Sequence, residues 1–351
     1  MKILIIQQKM IGDVLTSIIL LEALKKKFPD STLHYLINTH TYPVVEHHPF
    51  VNEFIFFTPE IEKSYRKFYF FLKEIRQQKY DVVIDVYGKL SSNLITLFSG
   101  AKTKISYYKK GKAFLYTYTI SRLKEPLHNA SLAIENRMRL LEPLKVDFKN
   151  YSPEIHLQKK EIEAAKKTLE AFVIDHDKPI YMISLLGSGP EKTYPAQYMA
   201  SLIDSIIAFI PEAQLLFNYI PKQLKEAQEI FNLTSEKTQK NIYFDLYGKS
   251  LREFLAITYH CNAVIGNEGG AINMAKALNI PTFIIFAPYL NKANWFGVSE
   301  AKDNTAVHLS DFVTYESNDI KKAKENPKSY YLKFKPTFIE PKLKVFLQNI
   351  Q

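Results

Sequence analysis

Cysteine is almost absent: Cys261 is the one thiol in 351 residues. That excludes an intramolecular disulfide and leaves no basis for a cysteine-ligated metal cluster. Long hydrophobic runs are missing as well. No apolar stretch reaches the roughly 20 residues that span a bilayer, and the chain enters a strand pattern at Lys2 with no leader-like segment before it, so the expected location is the cytoplasm. The G-x-G-x-x-G pattern of dinucleotide-binding dehydrogenases does not occur, and no DNA- or RNA-binding motif is recognisable. No cluster of Asp and His suggests a metal site, and no cofactor is expected.

What is present is a globular composition, 46% hydrophobic and 23% charged, in a chain long enough for two domains. The net charge of +10 is unevenly placed. Residues 1–150 carry 23 Lys and Arg against 14 Asp and Glu, whereas residues 151–351 carry 23 against 22. The basic excess of the first half points to an anionic partner, such as a phosphorylated lipid or acidic sugar, or else to a solubilising surface.

The densest motif lies at residues 263–288. An apolar strand (Ala263-Val264-Ile265-Gly266) is followed by Asn267-Glu268-Gly269-Gly270, an amphipathic helix to Leu278, an Asn-Ile-Pro break and a second apolar strand from Thr282. This is a βαβ unit. Gly269 and Gly270 allow close backbone approach, and the helix start offers free N–H groups and a positive dipole end. Such a turn suits a diphosphate. Glu268 would repel it, so its carboxylate is expected on a sugar hydroxyl or on the loop's own amides.

Along the first half, Lys2 to Ile6 reads as a buried strand and Asp13 to Phe28 as a helix with its stripe through Val14, Ile18, Leu21 and Leu24. Asp13 is either the N-cap of that helix or a carboxylate facing a cleft, placed to take a proton from a hydroxyl. Lys63 to Lys79 is a basic, aromatic-rich helix that either rests on a membrane surface or turns to the core. Tyr80 to Gly88 is a strand ending in a glycine turn, with Asp85 placed to orient the loop and Ser91 opening the next helix. A run of Lys102, Lys104, Lys109, Lys110 and Lys112 among tyrosines either docks anionic groups or is solvated surface. His128 opens a helical pattern through Arg137.

The pattern restarts at mid-chain. Tyr181 to Leu186 is a strand, and Gly187-Ser188-Gly189-Pro190-Glu191-Lys192 follows it with two glycines, a hydroxyl and a lysine able to neutralise phosphate. Gly248-Lys249-Ser250 precedes another helix, with Lys249 serving either a phosphate or the cap. Eight of 11 glycines fall in or beside such strand-to-helix loops, which supports a cleft lined by strand ends. Pro336 to Leu347 reads as a final helix.

Several of these stretches together resemble the family 9 glycosyltransferases, which include the ADP-heptose:lipopolysaccharide heptosyltransferases. The residues concerned are Met-Ile-Gly-Asp-Val-Leu at 10–15, Tyr-Asp-Val-Val-Ile-Asp-Val-Tyr-Gly at 80–88, Lys-Thr-Tyr-Pro at 192–195, Gly-Lys-Ser-Leu-Arg-Glu-Phe-Leu at 248–255, and the 263–288 motif. The chain departs from the family's letters at Glu268 (usually Asp), Asn273 (His) and Ala287 (Gly), and at the 289–297 loop. The resemblance implies the GT-B fold: α/β, two doubly wound Rossmann-like domains facing across a cleft. It places an acceptor domain at 1–158, a nucleotide-sugar domain at 159–335, and a C-terminal helix, 336–351, packed back on the first domain.

By the same resemblance the enzyme is an inverting, metal-independent glycosyltransferase with Asp13 as general base and Lys192 at the departing diphosphate. Donor binding falls to Ser188, Gly189, Gly248, Lys249, Asn267, Glu268, Gly269, Gly270, Ala271 and Asn273. Acceptor binding falls to Gly12, Gly88, Ser91, Lys109, Lys110, His128 and Arg137. The implied donor is ADP-heptose and the acceptor a lipopolysaccharide-core or related anionic glycolipid, with peripheral contact at the cytoplasmic face of the inner membrane. A transferase or epimerase using another sugar nucleotide, and a non-catalytic sugar-nucleotide or glycolipid-binding protein, are the alternatives.

Overall fold

The computed structural model describes residues 1–350, and Gln351, the last residue of the expected terminal segment, lies outside the described residues. The chain divides into two units, Met1–His156 and the residues from Leu157 onward, two residues before the expected boundary. Each unit is described by itself.

In the first unit β1 (Lys2–Ile6), β2 (Thr32–Ile37), β3 (Glu53–Phe56), β4 (Val82–Asp85), β5 (Thr103–Tyr107) and β6 (Tyr118–Ile120) form one sheet. Its order is β3-β2-β1-β4-β5-β6, with every neighbouring pair parallel. Parallel strands need crossovers, and crossover helices cover both sheet faces. Central strands are therefore apolar throughout, and Ile3, Leu4, Ile5 and Ile6 are all inaccessible. The chain reverses its direction of growth between β1 and β4, the switch point where open α/β sheets hold ligands.

Two helices differ from the sequence reading. The stretch after β1 is split into Ile11–Ser17 and Ile19–Lys27. Thr16 Oγ1 and Ser17 Oγ each donate back to the carbonyls of Gly12 and Asp13 at 2.7 Å, the i−4 bonding that bends helices. The basic aromatic helix starts at Tyr65, where Ser64 Oγ accepts the Lys67 N–H, and turns Phe71 and Ile75 into the core.

The second unit repeats the plan. β7 (Ile180–Ser184), β8 (Gln214–Asn218), β9 (Ile242–Tyr243), β10 (Ala263–Asn267), β11 (Thr282–Ile285) and β12 (Asn304–Val307) run in the order β9-β8-β7-β10-β11-β12, again all parallel. The switch point lies between β7 and β10. The final helix, Pro336–Asn349, belongs to this unit. Its Ile339, Leu343, Phe346 and Leu347, spaced at helical intervals, are buried in the second core, and Phe346 meets Phe283 of β11 with ring centroids 5.6 Å apart. The buried stripe of this helix, expected to pack back on the first domain, is thus part of the second core. An apolar stripe of that width needs a deep partner, and the second core supplies it.

Gly266 marks how tightly β10 approaches β7. Its φ is +136°, and a Cβ there would stand 2.3 Å from the Ser184 carbonyl oxygen. Gly266→Ala is expected to cost about 3 kcal/mol, while Gly269→Ala, whose Cβ would meet nothing within 4 Å, should fall within about 0.5 kcal/mol of wild type. Denaturant unfolding of both variants checks this.

Candidate functional site

In the second unit the carboxyl ends of β7 and β10 are tied together by one buried side chain. Asn267 Nδ2 donates to the carbonyls of Ser184 (3.1 Å) and Leu185 (2.7 Å), and its Oδ1 accepts the Tyr194 N–H at 2.8 Å. Both amide protons are thereby engaged, so Asn267, expected to bind donor, positions the loops around it. The 187–193 loop is closed in turn by Thr193, whose Oγ1 donates to the Gly189 carbonyl and accepts the Gly187 N–H. Ser188 and Glu191 are left exposed on its outside.

Gly269 is the N-cap of the helix Gly270–Ala277. Ala271 and Asn273 occupy the first turn, half-buried, beside the unpaired N–H groups that an anion can accept from. Glu268 sits directly before this turn, buried. Its Oε2 has no hydrogen-bond partner, and the Lys192 ammonium stands 4.0 Å away, within charge contact but too far for a hydrogen bond. The expected bond from Glu268 to the loop's own amides is therefore not made at that oxygen. Burial pushes the Glu268 carboxyl above the usual carboxylate range, with Lys192 and Lys276 pulling the other way. Lys276 also holds the 291–300 segment, donating to the Trp295 carbonyl at 2.9 Å and pairing with Glu300 at 2.5 Å.

Gly248 and Lys249 have structural duties. A Cβ on Gly248 would lie 2.4 Å from the Phe254 backbone nitrogen, so glycine is what lets the turn sit on the helix Leu251–Tyr259. The exposed Lys249 gives its N–H to Glu253 Oε2 at 2.9 Å, while Ser250 Oγ accepts the Glu253 N–H, a cap of the reciprocal kind. Among the described residues no group of three or more His, Cys, Asp or Glu side chains is arranged to hold a metal ion.

In the first unit Asp13 is not the N-cap: Met10, at φ 70°, holds that position and Asp13 lies in the first turn. Its Oδ1 receives the Arg137 guanidinium at 2.7 Å. Arg137 is itself buried and also donates to Ser17 Oγ and to the Ala133 carbonyl, so the carboxylate is aimed by a fixed cation at the carboxyl edge of β1. Beside it, Ser91 Oγ donates to Gln8 Oε1 at 2.6 Å, joining the loops after β1 and β4.

Asp85 organises the next loop. It is inaccessible, it accepts the Gly88 N–H at 2.9 Å and the Tyr116 hydroxyl at 2.6 Å, and burial raises its pKa. Over it opens a cavity of about 270 Å³ whose walls include Gly88, Lys89, Lys109, Lys112, Tyr116 and Arg122. Tyr107, another wall residue, feels the charges of Arg137, Arg122 and Asp13, so the Asp13–Arg137 pair stands within charge range of that wall. Lys110 is exposed and does not line it. His128 does not open a helix. The helix begins at Leu132 because Glu135 accepts the Leu127 and His128 N–H groups from the preceding loop, and the His128 ring stacks on Phe148 at 4.0 Å. Lys89, Tyr116 and Arg122 were missed from sequence. Of these only Lys89 carried a signal, its place after the Gly88 turn.

The raised carboxyl of Glu268 sets a pH dependence. The folded state holds that proton more tightly than the unfolded chain, so the associated stability is full below the unfolded carboxylate range and is lost as pH rises through the raised value. Glu268→Gln is expected to melt with wild type near pH ~4 and a few degrees above it by pH ~7. A melting-temperature difference that stays constant over that range would mean the two lysines offset burial.

The chain resembles known proteins over most of its length. The sequence profile of glycosyltransferase family 9 (heptosyltransferase) matches residues 69–324. The chain is 24% identical over 306 residues to lipopolysaccharide heptosyltransferase 1 of Campylobacter coli, covering 84% of this chain and 86% of that protein. Among solved structures, the family 9 glycosyltransferase of Veillonella parvula superimposes with a TM-score of 0.78 at 19% identity, over 98% of this chain and 97% of the other. The E. coli heptosyltransferase WaaC with ADP-2-deoxy-2-fluoro heptose gives 0.62 at 15% identity, over 95% and 99%. The two parallel six-stranded sheets and the profile match over most of the chain lead to one assignment: this protein belongs to glycosyltransferase family 9 and is a glycosyltransferase.

Proposed function

We propose that this glycosyltransferase moves a heptose from ADP-heptose to a lipopolysaccharide-core or related anionic glycolipid, inverting the anomeric centre and using no metal. The observation that carries the reading is the Asp13–Arg137 pair: a carboxylate fixed in orientation at a strand end, within charge range of the wall of a cavity lined by Lys89, Lys109, Lys112 and Arg122. Cations there suit the acidic sugars of such an acceptor. Asp13 takes the proton of the attacking hydroxyl as the new C–O bond forms. The bond from the anomeric carbon to the diphosphate breaks on the opposite side, and ADP departs with the electron pair.

The charge that develops on the diphosphate falls to Lys192 and to the free N–H groups at Gly270 and Ala271, where the helix dipole favours an anion. As donor approaches, Lys192 turns from Glu268 toward phosphate. The Glu268 carboxyl is then free for a sugar hydroxyl, as its unpartnered oxygen requires. No helix among the described residues is long and apolar enough to cross a membrane, and a lipid-linked acceptor reaches the enzyme by peripheral contact with the inner face of the inner membrane.

Glu268, where the family carries Asp, favours one second reading, a different sugar nucleotide as donor. Thermal-shift binding of ADP, UDP, GDP and dTDP, with and without magnesium, separates the two. Stabilisation by ADP alone, unchanged by magnesium, is expected; preference for another nucleotide would remove ADP-heptose.

Asp13→Asn should bind ADP as wild type does and lose roughly 10²- to 10⁴-fold in kcat. Normal turnover in that variant would eliminate the base. Lys192→Ala is expected to lower kcat/KM by about 10²- to 10³-fold with a weakened ADP response, measured in the same transfer assay.

A further inference from the structure

Glu268 stands two residues before the helix Gly270–Ala277, and it is 6% exposed. Its Oε2 has no hydrogen-bond partner. An uncompensated buried carboxylate is costly, so the groups that face it decide its charge. The 187–193 loop brings Lys192, 4.0 Å away. The helix brings Lys276, whose ammonium is already engaged by Glu300 at 2.5 Å and by the Trp295 carbonyl at 2.9 Å. Tyr289, after β11, and Tyr331, on the helix Pro327–Lys333, both feel the charges of Glu268 and Glu191. The buried Tyr331 hydroxyl is itself unpartnered. Of the two cations, Lys192 is therefore the one with freedom to leave.

A diphosphate seated on the free N–H groups of this helix puts a second anion beside the first. Lys192 can neutralise only one of them, and the diphosphate, with its greater charge, draws it away. Glu268 is then buried, separated from its nearest counter-ion and next to like charge. Each of those conditions favours the protonated form of a carboxyl. In the free protein burial already pushes this group up, and Lys192 is the larger of the two pulls that oppose it. Its departure leaves Lys276 alone against burial and the phosphate charge.

We propose that Glu268 enters the donor complex as a neutral carboxylic acid, so that binding of the diphosphate is accompanied by uptake of up to one proton. The inference rests on the nucleotide-diphosphate donor and the role of Lys192 proposed above, and it adds the protonation state of the residue beside them. One proton passes from solvent to the Glu268 carboxylate, and no bond of the ligand changes. A protonated carboxyl both donates and accepts. Its O–H then serves a phosphate oxygen or a sugar hydroxyl, and what was a repulsion becomes a hydrogen bond.

The test is calorimetric titration of ADP into the full chain at pH ~6, ~7 and ~8, in paired buffers of different ionisation enthalpy, for wild type and Glu268→Gln. The difference in heat between buffers counts protons, and subtracting the variant removes those that ADP itself gains or loses. The carboxyl holds its proton more tightly in the complex than in the free protein, so affinity falls as pH rises from the free value to the bound one. Wild type should take up at least about 0.5 proton more than Glu268→Gln near pH ~7, and its affinity relative to the variant should fall at least about fivefold from pH ~6 to ~8. Equal proton counts in the two proteins, or an affinity ratio flat in pH, would overturn the inference. So would a Glu268→Gln protein that melts cooperatively yet has lost ADP at every pH, since the contact would then need the carboxylate. ADP binding without the extra proton removes this inference alone, whereas a wild type that binds no ADP removes the donor reading and this inference with it.

Discussion

The second unit depends on the buried side-chain amide of Asn267. Four chain segments meet at that point: β10, the last residue of β7, the loop after it, and the backbone at Tyr194 where the loop ends. Without those three hydrogen bonds the Ser184 and Leu185 carbonyls would be buried unpaired, which costs more than the bonds themselves contribute. Gly266, one residue earlier, removes the side chain that would keep β10 from closing on β7. Together they fix where Lys192 and the start of the Gly270 helix stand, so the placing of these groups is a consequence of sheet closure rather than of the loop alone.

The first unit solves a different problem on the same frame. Its switch point must hold a carboxylate at the start of a helix and keep it from folding back as a cap. Arg137 does this from a helix far along the chain, and because the guanidinium is already engaged by Ser17 Oγ and the Ala133 carbonyl, it has no freedom to swing away. Asp85 has the opposite task. It lies beneath the surface with its oxygens accepting from Gly88 and Tyr116, so it shapes the loop that walls the cavity.

Much of this was legible in the sequence because it is local. Short unbroken apolar runs such as Ile3 to Ile6, rich in β-branched residues and followed by turn signals, read as buried parallel strands, and glycine in the loops after them marks where backbone approaches backbone. What was not legible depends on partners far away. Tyr116 reaches Asp85 across 31 positions and Arg137 reaches Asp13 across 124, and no local pattern encodes either. His128 was read as helical from neighbouring residues, yet Glu135 captures the backbone N–H there and delays the helix to Leu132. That the stripe of the terminal helix completes the second core was not legible either, because a stripe says that a helix is buried without saying against what.

That terminal helix orders events during synthesis. All contacts within the first unit lie inside Met1–His156, so it can close as soon as those residues have left the ribosome. The second core lacks Ile339, Leu343, Phe346 and Leu347 until nearly the whole chain has been made. At typical elongation rates of about 5 to 20 residues per second, the first unit stands folded on a nascent chain for on the order of tens of seconds before its neighbour can complete. The half rich in cations is therefore complete first, and the second unit, with its Gly270 helix, is completed last.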